Sequence, residues 1–162
     1  MNGLIYLLTV KPNTPGERGI PKVSVENSFL SQQGLSEDFN VYRTEKKAGT
    51  LNRAILIFPL ETIQQLNMEG WPIEAGHLGE NITTTGISYD ALAVGTRWKI
   101  DDAKVEISEI CNPCKNLRVL PYVGLTRIIP FVATLVGRRG WYARILQEGN
   151  IQRGAEIKSL AL

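Results

Sequence analysis

The chain has 162 residues, of which 43% are hydrophobic and only two are cysteines. This length suffices for one core of ordinary size, so we expect a single domain over residues 1–162. The 18 basic residues nearly balance the 16 acidic ones, so overall charge gives no general case for a nucleic-acid partner or a membrane surface. No apolar run approaches the roughly 20 residues needed to cross a bilayer.

The N-terminal segment at residues 4–10 is almost entirely apolar. It has no positively charged region before it and no small-residue cleavage site after it, so it predicts a buried strand rather than a signal peptide. We therefore expect a cytoplasmic protein, in which cysteines stay reduced and are more often chemical than structural.

The first half of the chain predicts strands separated by one helix. Apolar runs at residues 3–10 and 51–58 are rich in Ile, Leu and Val, which is typical of buried strands. A helix is predicted over residues 59–69, because Pro59 suits a first helical turn and Gly70 suits a stop.

The second half predicts a hairpin, a helix and further strands. Residues 96–110 alternate between apolar and polar on either side of a two-residue turn at 101–102. Helical spacing of apolar residues predicts a helix over 128–136, in which Pro130 is tolerable only in the first turn. Further strands are predicted at 140–146 and 155–160, with a turn at 148–150. Many short strands with little helix favour a mainly β fold, with a largely antiparallel sheet curled into a barrel.

The two cysteines, Cys111 and Cys114, follow the predicted hairpin directly. Pro113 fixes one backbone dihedral and removes an amide donor, so we expect a rigid loop that presents the sulfur of Cys114. A thiol with a reference pKa near 8.5 is only about 3% ionised at pH 7, so a reactive thiolate needs cations nearby. The candidate cations are Lys115, Arg118, Arg138 and Arg139.

The local pattern leaves four interpretations of the cysteine pair open. A structural zinc site normally needs four Cys or His ligands, and the chain adds only His77 to the two thiols. A thioredoxin-type pair normally lies in a βαβ unit, which the sequence does not predict here. The remaining interpretations are two packed thiols without chemistry, or Cys114 as a metal ligand or sulfur-bearing nucleophile with Cys111 as its neighbour.

Four segments, taken together and in order, resemble the MOSC domain, a module named for the C-terminal part of molybdenum-cofactor sulfurases. They are residues 76–83 with Gly86, 92–95, 112–114 and 137–144. The resemblance implies a single MOSC domain, folded as a β-barrel of mostly antiparallel strands with a few peripheral helices.

The resemblance also implies a function that uses the molybdenum cofactor (molybdopterin). Cys114 matches the family's invariant cysteine, which is thought to ligate molybdenum or to carry activated sulfur. The implied activity is reduction of small N-hydroxylated substrates at Cys-ligated molybdenum, with electrons from a donor protein. The alternative is a sulfur carrier with a persulfide on Cys114, loaded by a pyridoxal-phosphate-dependent desulfurase; this chain has no room for that pyridoxal-dependent domain. Cys111 is then a candidate resolving thiol.

A pterin cofactor that ends in a phosphate needs fixed cations and hydrogen-bonding groups around it, and Arg matches phosphate oxygens best. The candidates are Arg43, Lys46, Lys47, Arg53, Arg138 and Arg139, with Glu80, Asn81 and Thr83 as hydrogen-bonding partners. The chain departs from the usual family pattern at Glu37, Ala48, Asn52 and Cys111, whereas Asp38, Gly49 and Arg53 match it. We expect no nucleic-acid or membrane partner, and a homodimer is a possible assembly.

Overall fold

The computed structural model describes residues 1–39 and 51–161. Within these ranges the chain forms eleven strands and two α-helices. The strands are β1 (Asn2–Val10), β2 (Val23–Val25), β3 (Asn27–Ser31), β4 (Gly34–Leu35), β5 (Ile55–Pro59), β6 (Ile82–Thr85), β7 (Arg97–Ile100), β8 (Ala103–Ile110), β9 (Trp141–Gln147), β10 (Gly149–Gln152) and β11 (Glu156–Leu160). The helices are α1 (Leu60–Met68) and α2 (Gly124–Leu135).

Seven of the strands close into a barrel in the order β11-β7-β8-β9-β5-β6-β1, because β1 pairs with β11 as well as with β6. All pairings in the barrel are antiparallel except that of β5 with β6. Parallel neighbours need a long connection, and here it contains α1. The predicted mainly β barrel is confirmed.

A second, three-stranded sheet has the order β10-β3-β4. The predicted turn at 148–150 was wrong, because β10 pairs with β3 and only Glu148 separates it from β9. Gly149 serves close packing there: a Cβ on it would lie 2.7 Å from the main chain of Asp102. The glycine therefore marks a place where two backbones meet rather than a reversal of the chain.

Two apolar clusters hold these elements together. Alternate residues of the strands fill the barrel interior; on β8 these are Ala103, Val105 and Ile107. The second cluster lies beneath the two helices, where Phe131 of α2 packs on Trp71 with ring centroids 4.6 Å apart. No helix in the described ranges has the length and apolar character to cross a membrane.

The predicted helix at 59–69 is confirmed by α1, but two other predictions needed correction. The apolar run at 51–58 begins with a 3₁₀ turn at Leu51–Arg53 and becomes strand only at Ile55. The second helix starts at Gly124, so Pro130 lies inside it and not in its first turn. The carbonyl that loses its helical partner belongs to Thr126, an exposed residue, so water can satisfy it.

Candidate functional site

The segment that carries the cysteines is fixed at both ends. β8 pairs with β9 up to its last residue, and the Cys111 N–H then donates to the carbonyl of Gly140 at 2.9 Å. After Cys114 the chain enters a 3₁₀ turn, whose Leu117 is fully buried in the cluster beneath the helices. Cys114 is exposed between these two anchors. The prediction that its sulfur is presented rather than packed is confirmed.

Cys111 has the opposite environment, because it is buried beside the hydroxyl of Tyr142. Burial, together with this thiol, raises the pKa of the Tyr142 hydroxyl, which therefore stays protonated. Arg53 lies 5.1 Å from the centre of the Tyr142 ring and forms a two-pronged ion pair with Glu109 at 2.7 and 2.9 Å. Its guanidinium is thus held against β8 and β9.

The loop before β6 holds the buried carboxylate of Glu80. Gly76 and Gly79 have φ angles of +88° and +80°, which favour glycine and allow a tight turn. The Gly76 N–H and the Thr83 hydroxyl donate to Glu80 Oε1 at 2.6 and 3.1 Å. The other oxygen, Oε2, is buried and has no hydrogen-bond partner among the described residues. The loop thus contains a buried acceptor without a donor from the described residues.

Arg139 and Arg138 are adjacent but occupy different environments. Arg139 is buried, and its Nη2 donates to the carbonyl of Leu78 in the glycine-containing loop. Its Nη1 is also buried, without a partner in the described part of the chain. Arg138 instead forms a two-pronged ion pair with Glu69 at 2.6 and 2.8 Å and bonds the carbonyl of Thr134. Of these two arginines, Arg139 is the one with an entire Nη1 group that has no partner among the described residues.

Asn81 uses its side chain within the protein. Its amide donates to Asp38 Oδ2 at 3.0 Å and to the Thr9 carbonyl at 3.2 Å, and its oxygen accepts the Leu56 N–H at 3.1 Å. Burial opposes ionisation of Asp38, but the Lys22 ammonium 3.0 Å away and the hydrogen bonds to Asp38 hold its pKa below the usual range. This buried network fixes β1, β5 and the loop before β6 to one another.

No pattern in the sequence indicates the contact between Tyr122 and His77, which joins the segment after the thiols to the glycine-containing loop. The hydroxyl of Tyr122 lies 3.2 Å from Nδ1 of His77, and their rings stack with centroids 5.8 Å apart. Burial, with smaller effects of the carboxylates of Glu80 and Glu74, raises the pKa of Tyr122. The two residues are 45 positions apart, so no local pattern could have paired them. Tyr142, in contrast, lies within the 137–144 motif, so the sequence could have indicated it as a site residue.

The remaining predicted site residues are distributed as follows. Thr83 is buried and bonds Glu80, while Arg43, Lys46, Lys47 and Ala48 lie outside the described residues. Among residues 1–39 and 51–161, no group of three or more His, Cys, Asp or Glu side chains is arranged to hold a metal ion.

Solved structures resemble this fold over nearly the whole chain. The YuaD protein of Bacillus subtilis superposes with a TM-score of 0.81 at 20% identity, covering 97% of this chain and 94% of that one. YiiM of Geobacillus stearothermophilus gives 0.73 at 25% identity, covering 98% and 75% of the two chains. YiiM of Escherichia coli gives 0.71 at 18% identity, covering 100% and 71%.

Sequence comparison adds two relatives and a family. The uncharacterized protein YflK of Bacillus subtilis is 25% identical over 119 residues, which are 70% of this chain and 50% of YflK. A protein of Gibberella moniliformis named "Reductase" is 37% identical over 90 residues, which are 54% of this chain and 15% of that protein. The chain thus spans half the length of the first relative and a small part of the second. The family model of the MOSC domain matches residues 44–158, and the chain therefore belongs to the MOSC domain family.

Proposed function

We propose that this protein binds the molybdenum cofactor and reduces N-hydroxylated compounds, with Cys114 as the protein ligand of the metal. The observation that carries the proposal is the exposure of Cys114 on a segment anchored at both ends. A thiolate held in this way is open to a large cofactor and loses little conformational freedom when it binds.

Two buried polar groups of the described residues fit such a cofactor. The unpartnered N–H of Arg139 suits an anionic oxygen, and the unpartnered oxygen of Glu80 suits an N–H of a pterin. The absence of a three-residue metal cluster in the described ranges fits a metal that arrives with its own sulfur ligands and takes one thiolate from the protein.

The bound cofactor would supply two-electron chemistry for removing the oxygen atom of the substrate. Overall, the N-hydroxyl compound would take two electrons and two protons and yield the reduced nitrogen compound and water. Cys114 would hold the metal, Arg139 would balance negative charge, and Glu80 would orient the pterin. The reductase name of the Gibberella relative supports this class of reaction, with electrons supplied here by a separate donor protein.

The test is molybdenum content after expression in a host that makes the cofactor. We expect close to one molybdenum per wild-type chain, a loss of at least tenfold in Cys114→Ala, and little loss in the matched control Cys111→Ala. Reduction of an amidoxime with a reduced viologen dye should follow the metal content. Wild-type protein without molybdenum, made in a host where a known molybdenum enzyme is loaded, contradicts the proposal.

The sulfur-carrier function uses the same exposed thiol and predicts a different product. After incubation with a desulfurase and cysteine, Cys114 would gain the mass of one sulfur atom. The burial of Cys111 next to Tyr142 supports a packing role for this thiol rather than a resolving role. A sulfur adduct on molybdenum-free protein would favour the carrier over the reductase.

A further inference from the structure

The part of the chain that holds the exposed thiol carries positive charge only. Residues 110–147 contain six basic residues and no acidic one, whereas the remaining residues contain 12 basic and 16 acidic ones. The six basic residues are Lys115, Arg118, Arg127, Arg138, Arg139 and Arg144. Positive charge is therefore concentrated in the segment around Cys114, although the whole chain is close to neutral.

Two of these six cations have no partner in the protein. The other four are held by the Trp71 ring for Arg127, by Glu69 for Arg138, by the Leu78 carbonyl for Arg139 and by Glu106 for Arg144. Lys115 and Arg118 are exposed, and neither side chain makes an ion pair or a hydrogen bond within residues 1–39 and 51–161. They are the cations of this segment that remain free to meet an anionic surface.

Lys115 and Arg118 lie on the same side of the 3₁₀ turn that follows Cys114. The turn spans Lys115–Val119 and buries Leu117 on its inner side. Residues three positions apart in a 3₁₀ helix project in the same direction, and each residue advances the chain by about 2 Å. Both cations are therefore within roughly 10 Å of Cys114 along the turn, and an approaching anionic surface is attracted to both at once.

A second group of cations lies on the outer wall of the barrel. Lys99 of β7 is directly opposite Lys104 of β8 and Lys158 of β11. Lys104 precedes Cys111 by seven residues in the extended β8, a separation of roughly 20 Å. A protein bound at these lysines would be held away from the thiol, whereas one bound at the 3₁₀ turn would lie beside it.

Exposed apolar side chains lie next to the 3₁₀ turn. Val119 ends the turn and is 36% exposed, and the turn packs against α2, where Leu125 of the first helical turn is 80% exposed. Protein interfaces combine apolar contacts with a charged rim, whereas a small anion uses only the charges. The combination therefore fits the surface of a protein.

We propose that Lys115 and Arg118 dock the acidic surface of an electron-transfer protein. The purpose of this docking rests on the proposed function, which requires a donor beside Cys114. In each turnover, two molecules of a reduced one-electron carrier such as a [2Fe–2S] ferredoxin each lose one electron. With two protons from water, these two electrons convert the N-hydroxyl compound to the reduced nitrogen compound and water.

The test measures binding to the purified full chain, whatever its molybdenum content, by isothermal titration calorimetry. The probes are an oxidised plant-type [2Fe–2S] ferredoxin and an oxidised flavodoxin, each chosen for an acidic surface. We expect binding at about 20 mM NaCl that weakens at least about tenfold by about 300 mM NaCl. Lys115→Gln/Arg118→Gln should weaken binding at least about tenfold at the lower salt concentration.

The matched control is Lys99→Gln, which removes another exposed cation without an ion pair among the described residues. It should change the affinity less than about twofold, because Lys99 is on the outer wall. All three substituted positions are exposed, and circular dichroism would verify that each variant is folded. Cytochrome c, a basic electron-transfer protein, should not bind.

Three binding results overturn the proposal. They are wild-type protein that binds neither acidic carrier, Lys99→Gln that weakens binding as much as the double variant does, and a double variant that binds like the wild type. If that last variant also lost molybdenum, the two cations would belong to the cofactor site. Wild-type protein without molybdenum would reject the reductase function, but the titrations would still decide whether this surface binds an acidic protein.

In molybdenum-loaded protein, the KM for reduced ferredoxin in amidoxime reduction should rise at least about tenfold in Lys115→Gln/Arg118→Gln. The dye-driven rate of each variant serves as its own reference, because a small dye does not need the docking surface. Equal falls in the ferredoxin-driven and dye-driven rates, with an unchanged KM for ferredoxin, would place the effect at the thiol and overturn the proposal.

Discussion

Arg139 donates a hydrogen bond to the carbonyl of Leu78 from a buried position, and so connects the start of β9 to the glycine-containing loop before β6. Arg138 makes its ion pair with Glu69 at the edge of the protein, where both side chains are more than a third exposed. Adjacent arginines therefore provide a matched pair for separating a buried contact from a surface one.

Arg139→Ala should lower the free energy of unfolding by about 2 kcal/mol, because the Leu78 carbonyl loses its donor and the side chain leaves a space. Arg138→Ala should cost less than about 1 kcal/mol, because exposed ion pairs contribute little. Urea denaturation of both variants measures the difference. Equal costs would contradict the different environments of the two guanidinium groups.

Under the proposed function, Arg139→Ala and Arg138→Ala should also differ in how much cofactor they retain. Arg139→Ala should lower the molybdenum content of the purified protein severalfold, because it removes the unpartnered donor. Arg138→Ala should leave the content near the wild-type value. If Arg138→Ala lost more metal than Arg139→Ala, Arg138 would be the anion anchor in place of Arg139.

Protonation of Asp38 should make the protein less stable in acid. Its pKa in the folded protein lies below the reference value of 3.8, so its contribution to stability is fully present above about pH 4 and is lost as pH falls toward the folded pKa. Asp38→Asn should destabilise the protein by about 3 kcal/mol at pH 7, because Lys22 loses its buried counter-charge.

Unfolding in urea at a series of pH values between neutrality and pH 3 would test this prediction. The wild-type free energy should fall in the acid range more steeply than that of Asp38→Asn, so the two curves should converge. Parallel curves over the whole range would contradict a lowered pKa for Asp38.

Local patterns in the sequence were enough to predict β1, α1 and the β7–β8 hairpin. Each depends on alternation, helical spacing or a turn within a few residues of the chain. The start of α2 was missed because Pro130 favours a first-turn position, whereas exposure of Thr126 allows the proline inside the helix. The switch of sheets at Glu148 depends on pairing with β3, more than 100 residues away.

The features of the site also divide into those that a local pattern predicts and those that depend on residues distant in the sequence. Exposure of Cys114 was predicted from Pro113 beside it, but the segment is anchored by the Cys111 bond to Gly140 and by buried Leu117. The different environments of Arg138 and Arg139 depend on Glu69 and Leu78, which are distant in sequence. The resemblance of residues 76–83 and 137–144 to one family indicated both loops, but only the folded chain brings the Leu78 carbonyl to Arg139.

The two thiols should differ in reactivity by at least about a hundredfold, because Cys114 is exposed and Cys111 is buried. With iodoacetamide at pH 8, native protein should quickly take up one label, located on Cys114 by peptide mass spectrometry. Addition of urea should expose the second thiol. Cys114→Ser should react slowly until unfolded, while Cys111→Ser should react as quickly as the wild type. Fast labelling of native Cys114→Ser would show that Cys111 is more accessible than the structure indicates.

Gly140 should tolerate no side chain. Its φ of +104° disfavours other residues, and a Cβ would lie 2.8 Å from the carbonyl oxygen of Ile57, which cannot move without disturbing β5. Gly140→Ala should therefore lower the free energy of unfolding by about 3 kcal/mol or more. It should also speed labelling of Cys111, whose N–H bonds the Gly140 carbonyl.

Gly95 is the matched control, because its φ is +89° but nothing lies within 4 Å of a Cβ. Gly95→Ala should cost about 1 kcal/mol in urea denaturation. Equal losses in the two variants would mean that the left-handed backbone alone, and not the approach to Ile57, requires glycine at position 140.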